Sequence, residues 1–73
     1  MGKKNGGGVY RVVDVIGLSK ISWEDAARNA VNTASKSLRD LRIAEVVKMD
    51  IKVDDGKVTA FRTRVALSFK YEA

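Results

Sequence analysis

Apolar and polar positions recur with two different periods along this chain, and the changes of period mark its elements. Residues 9–17 (VYRVVDVIG) are rich in β-branched side chains, which suit a pleated strand. Its two parities are Tyr10, Val12, Asp14, Ile16 and Val9, Arg11, Val13, Val15. Both are largely apolar, so both faces of this strand expect cover. Residues 17–21 form a connection. From Trp23 the period lengthens. Trp23, Ala27, Ala30, Ala34, Leu38 and Leu41 recur at intervals of three and four, the spacing of one helical stripe. Ser22-Trp23-Glu24-Asp25 has the form of a capping box with Asp25 in the place of the usual Glu or Gln. The two acids also suit the positive end of the helix dipole. The pattern predicts a helix from Ser22 to about Leu41, narrow along its alanine stripe.

The period then returns to two. Residues 42–53 (RIAEVVKMDIKV) read as a long strand, with Ile43, Val47, Met49, Ile51 and Val53 on one parity and Glu45 as its exception. Asp54-Asp55-Gly56 is a tight-turn signal between two strand-like runs. Residues 57–71 (KVTAFRTRVALSFKY) form the third strand. Thr59, Phe61, Thr63, Val65, Leu67, Phe69 and Tyr71 line one face, with Val58, Ala60, Arg62, Arg64, Ala66, Ser68 and Lys70 on the other. The order β-α-β-β defines an α+β domain. One narrow helix cannot cover three strands of which two are this long, so the remaining apolar sheet surface is expected to be buried against other copies of the chain.

Composition narrows the function. The chain has 73 residues with no Cys and no His. A domain this short buries only about 60% of its unfolded surface, and small scaffolds rely on disulfides, metals or partner subunits. Without Cys or His, disulfides, thiolate nucleophiles, most zinc sites and the usual neutral-pH acid–base group are gone. No nucleophile elbow or convincing carboxylate pair is present, so an enzyme is not expected. The net charge is +5. Lys3 and Lys4 lie in the glycine-rich start (MGKKNGGG, residues 1–8), read as a flexible tail, so the folded part carries 5 − 2 = +3. Its basic residues alternate with acids rather than clustering, which argues against nucleic acid. No apolar run approaches the roughly 20 residues of a membrane span, and the polar start is unlike a signal peptide. The expectation is a soluble, cytoplasmic protein.

Four stretches in this order resemble the dodecin family: the opening VYRVVDVIG, Ser-Trp-Glu-Asp-Ala-Ala at the helix start, Ala-Ser-Lys-Ser-Leu-Arg-Asp-Leu-Arg before the second strand, and Asp-Gly-Lys-Val at the hairpin. The resemblance covers residues 9 to 71. It implies a single dodecin-like domain over residues 9–73, with one helix packed on a curved three-stranded antiparallel sheet. It also implies a hollow homododecameric shell that binds and stores a ligand without catalysis. Typical members hold flavins (riboflavin, FMN or lumichrome) in pairs at two-fold axes, and some bacterial members hold coenzyme A.

The same resemblance puts two departures in the pocket. Flavin-binding dodecins carry a Trp just after the helix whose indole stacks on the flavin ring; the matching position here is Ile43. A Gln of the third strand that hydrogen-bonds the flavin edge is matched by Arg62. Stacking on an aromatic face is worth about 1–3 kcal/mol per base-like ring, and Ile offers no π face. FMN or riboflavin is therefore expected to bind weakly or not at all. Arg62, together with Arg64, could contact another ligand. Trp23 is read as a core anchor rather than a substitute for the missing indole.

A Trp-lacking, calcium-binding branch of dodecin-like proteins is the closer likeness at the second strand. Calcium takes six to eight oxygen ligands. The candidates are Glu45 and Asp50 first, then Glu24, Asp25, Asp54 and Asp55. For Glu24 and Asp25 the plainer reading is helix capping, and for Asp54-Asp55-Gly56 a turn. For Glu45 it is a salt bridge to Arg62 or Arg64 on the neighbouring strand.

Overall fold

The computed structural model describes residues 8–70. Residues 1–7 of the expected tail, and Tyr71 at the end of the third strand, lie outside the described residues. The elements are β1 (Tyr10–Ser19), α1 (Trp23–Ala34), β2 (Leu41–Asp54) and β3 (Lys57–Lys70). They form one antiparallel sheet in the order β1-β3-β2, with α1 on one face. This is the β-α-β-β, α+β arrangement read from the sequence.

The start of α1 is built as its sequence suggests. Ser22 is the extended N-cap, and its hydroxyl accepts the Asp25 backbone N–H at 3.0 Å. The Asp25 carboxylate in turn accepts from the Ser19 hydroxyl at 2.7 Å. The far end is shorter than expected. The helix stops at Ala34 rather than Leu41. Ser35 and Ser37 turn their hydroxyls back onto the carbonyls of Asn32 and Ala34, the local competition that makes Ser poor in helix interiors. Asp40 then adopts a left-handed φ of 56°, and its carbonyl accepts the Lys70 N–H at 3.2 Å. Leu38 and Leu41 still pack on the core, but from a turn and a strand.

The core sits between α1 and β3. Val65 and Leu67 are fully buried together with Ala30, and Val15, Ala27, Val31 and Ala34 close around them. Gly17 of β1 lies under Ala26 and Ala30, close enough that no side chain would fit. β1 continues past Gly17 to Ser19 instead of ending there. The β2–β3 hairpin closes through Asp55 and Gly56, both at positive φ, the signature of a type I′ turn. Because α1 lies over β1 and β3, the helix-side residues of β2 stay open: Val46, Met49 and Ile51 are 51%, 55% and 42% exposed. This is the uncovered apolar surface expected from one narrow helix.

The register corrects the reading of β2. Three irregularities interrupt the β2–β3 ladder, between Leu41 and Ile43, Val46 and Lys48, and Lys52 and Val53. In the second of these Val47 is an extra residue, and a bulge of this kind reverses the facing of everything beyond it. Met49 and Ile51 pair with Thr63 and Phe61 on the helix side, whereas Ile43 and Glu45 pair with Ser68 and Ala66 on the helix-free side. Glu45 is therefore no exception on an apolar face. It shares its face with Lys48 and Asp50.

Candidate functional site

The helix-free face is a grid read directly from the ladders. Across the sheet run Val12–Ser68–Ile43, then Asp14–Ala66–Glu45, then Ile16–Arg64–Lys48, then Leu18–Arg62–Asp50. All four residues singled out for ligand binding (Ile43, Arg62, Glu45, Arg64), and both singled out for metal (Glu45, Asp50), lie on this one face. Ile43 is 54% exposed, and its ladder neighbours Ser68 and Val12 are not aromatic.

The charges on the face are paired in a particular way. Arg62 donates from Nε and Nη2 to the two carboxylate oxygens of Asp50 at 2.7 and 2.9 Å. Such a two-pronged pair holds both planes in register. The hydrogen bond from Arg62 holds the Asp50 carboxyl below its ordinary range, with Lys48 adding to the effect, and Asp50 raises Arg62 in return. Arg64 donates from Nη2 to Asp14 at 3.1 Å. The salt bridge expected between Glu45 and either arginine is not formed; Arg62 pairs with Asp50 and Arg64 with Asp14. Glu45 makes no ion pair among the described residues. Asp14 and Lys48 were not singled out from the sequence. An acid within an otherwise apolar strand was the available signal for Asp14.

Trp23 stands apart from this face. It is 38% exposed, so it is not the buried anchor expected of it. Its indole N–H donates to the Asp50 carbonyl at 2.9 Å, and its ring meets Phe61 edge-on with centroids 5.1 Å apart. The Trp23 carbonyl accepts from the buried Thr63 hydroxyl at 2.8 Å. Trp23 thus ties the start of α1 to the backbone behind the Asp50–Arg62 pair.

The remaining acids have local employment. Asp25 belongs to the helix cap and Glu24 to the first helical turn. Asp54 accepts from the Thr59 hydroxyl at 2.8 Å, and Asp55 forms the turn. No group of three or more acids able to hold a metal ion forms among the described residues of one chain. No helix among the described residues is long and apolar enough to cross a membrane.

Fold and site together define a small open-sheet α+β domain with one helix-covered face and one charged, helix-free face. The dodecin family model matches residues 9–72. Calcium dodecin from Mycobacterium tuberculosis (strain ATCC 25618 / H37Rv) is 48% identical over 63 residues, which is 85% of this chain and 87% of that protein. Among solved structures, dodecin from Streptomyces coelicolor superposes with a TM-score of 0.85 at 35% identity, covering 94% of this chain and 99% of that one. The structure of the Mycobacterium tuberculosis calcium dodecin, described as a calcium-chelating immunodominant antigen with a novel calcium-binding site, gives a TM-score of 0.78 at 45% identity over 88% of this chain and 91% of that one. The chain belongs to the dodecin family.

Proposed function

We propose that the protein is a non-enzymatic binding and storage shell of twelve identical subunits, with a pocket altered so that it no longer holds a stacked flavin pair. The observation that carries this reading is the chemistry of the helix-free face. Ile43 is open to solvent there without an aromatic neighbour in its row, and Arg62 is committed to Asp50. Losing one stack costs about 1–3 kcal/mol per ring, or about 5- to 140-fold in affinity for each flavin. The exposed apolar residues of β2 support assembly, because monomers rarely leave such a contiguous surface uncovered.

The test has two arms. Native mass measurement should give twelve subunits, and FMN and riboflavin fluorescence should stay unquenched when the assembled protein is added at micromolar concentration. The double substitution Ile43→Trp with Arg62→Gln should then restore quenching. Strong stoichiometric quenching by the unaltered protein would instead make it a working store for FMN or riboflavin. A double variant that assembles and still ignores flavin would show that Ile43 and Arg62 do not occupy the pocket positions.

A second reading is a calcium-binding shell, favoured by the 48% identity to a calcium dodecin and by the absence of an ion-pair partner for Glu45 among the described residues. Glu45 and Asp50 would serve as ligands only where neighbouring copies bring further oxygens, since calcium wants six to eight. Calorimetry on the assembled protein with calcium at millimolar concentration decides it. Absence of saturable heat removes calcium.

A further inference from the structure

The helix-free face carries an arrangement that its own ion pairs do not explain. Lys48 stands directly opposite Arg64 across the β2–β3 ladder, and like charges at facing positions destabilise a sheet. Arg62, two residues from Arg64, falls on the same face. Three cations therefore adjoin one another. Asp14 engages only Nη2 of Arg64, and Asp50 only Nε and Nη2 of Arg62. Lys48 forms no ion pair among the described residues. The three cations surround a cleft of about 90 Å³ lined by Ile16, Lys48, Asp50, Arg62 and Arg64.

The size of this cleft limits its occupant. Pockets for drug-sized ligands run to roughly 300–1,000 Å³, so one protomer offers no room for a fused ring system here. There is room for a compact group the size of a few water molecules. With Asp50 offsetting Arg62 and Asp14 offsetting Arg64, the three cations leave a net charge of 3 − 2 = +1, carried by Lys48, which favours an anion. Two guanidinium groups fixed by carboxylates behind them present remaining N–H donors in set directions, which suits tetrahedral oxygens. The Ile16 side chain supplies an apolar wall that limits hydration of the ion.

We propose that Lys48, Arg62 and Arg64 form a site for a small oxyanion, namely phosphate as the free ion or as a monoester. The site deepens the reading of the altered pocket, because it lies on the face given to that pocket, but it needs only one protomer. Asp50 and Asp14 act as positioning residues that hold the two guanidinium groups. Lys48 is the group that gains a partner when the anion arrives.

The experiment is a calorimetric titration of the full-length protein with inorganic phosphate, in low-salt buffer with chloride matched. Parallel titrations use glycerol phosphate as a monoester, and sodium chloride as the control. Saturable binding on the order of millimolar is expected, weakening as salt rises and screens the partly exposed charges. Lys48→Gln should weaken it about fivefold or more, a discounted value for a partly exposed charge-assisted contact. Lys48→Glu should abolish it. Lys70→Gln, on a separate basic cleft with Arg11 and Arg39, should leave it unchanged. Tighter binding of the monoester supports the site and identifies a phosphate carried on a larger ligand; equal binding supports it and identifies the free ion. Heat no greater than that of chloride for both probes overturns the proposal. So does a Lys48→Gln variant that binds as before, or loss of binding in Lys70→Gln alone. The mass of the assembly and the flavin titration are read separately, so failure of the shell reading is not confused with failure of the anion site.

Discussion

Gly17 offers the sharpest test of how α1 is seated. It lies in β1 opposite Thr63, directly beneath the helix. A Cβ at this position would sit 1.9 Å from the Ala26 carbonyl oxygen, 2.9 Å from the carbon of that carbonyl and 3.0 Å from the Ala30 Cβ. The two shortest contacts are with backbone, so no rotamer change relieves them. Real Cβ atoms essentially never come within 3.0 Å of such neighbours, so in Gly17→Ala the helix must retreat by at least 3.0 − 1.9 = 1.1 Å. A gap of 0.5–1 Å already forfeits about a quarter to a half of each dispersion contact, and the contacts at risk are those of Ala30 with Val65 and Leu67.

Overpacking costs about 1–3 kcal/mol, and the backbone contact places this case at the upper end, about 3 kcal/mol. Chains of this length hold about 4–11 kcal/mol in total, at about 0.05–0.15 kcal/mol per residue. The melting temperature should fall by about 12–24 °C, at about 4–8 °C per kcal/mol. Far-UV circular dichroism at one fixed protein concentration measures it, because the melting temperature of any protein that associates depends on concentration. Gly8→Ala is the control, since a Cβ there meets nothing within 4 Å, and it should melt like the parent. A Gly17→Ala protein that melts within about 3 °C of the parent would refute the close seating of α1 on β1.

Three further outcomes follow from the same geometry. Leu67→Ala removes a fully buried side chain from the core, and should cost about 2–5 kcal/mol, read by chemical denaturation. Ser22→Ala removes the hydroxyl that accepts the Asp25 N–H, and should cost about 0.5–2 kcal/mol, read by the same denaturation. Asp50 has a folded-state pKa below its unfolded value because of Arg62. Its contribution is therefore present above the unfolded pKa and is lost as pH falls through the lower folded one. Asp50→Asn should be less stable than the parent at pH 6, with the difference closing as pH falls below about 4; a difference that persists unchanged at pH 2 would contradict the pairing.

Most of the fold is legible in the chain because its signals are local. Ser22 and Asp25 announce a helix start, Asp54-Asp55-Gly56 a hairpin, and the strict alternation of β3 its buried face. The errors arose where side chains or register override a periodic pattern. Leu38 and Leu41 keep helical spacing, yet they reach the core from outside the helix, because a stripe records which residues share a face and not which backbone carries them. Trp23 shows the converse. A lone large aromatic on an apolar stripe reads as buried, yet its place at the first residue of α1 leaves it over the rim of the sheet, where its N–H finds the Asp50 carbonyl.

The candidate site was less legible than the fold for one physical reason. Parity arguments assume an unbroken ladder, and β2 contains extra residues that reset it. With the bulge at Val47 included, the charges of β2 fall on one face and its helix-side apolar residues on the other. Glu45 ceases to be an anomaly, and Asp50 becomes the partner of Arg62. The sharing of one face by Ile43 and Glu45 with Lys48 and Asp50 therefore depends on the bulge taking up one inserted residue that no composition or spacing rule marks. Deleting Val47 would set Val46 beside Lys48 in unbroken alternation, so Ile43 and Glu45 should keep their common face with Lys48 and Asp50. The bulge, more than any one charged residue, is what brings these side chains to a common surface.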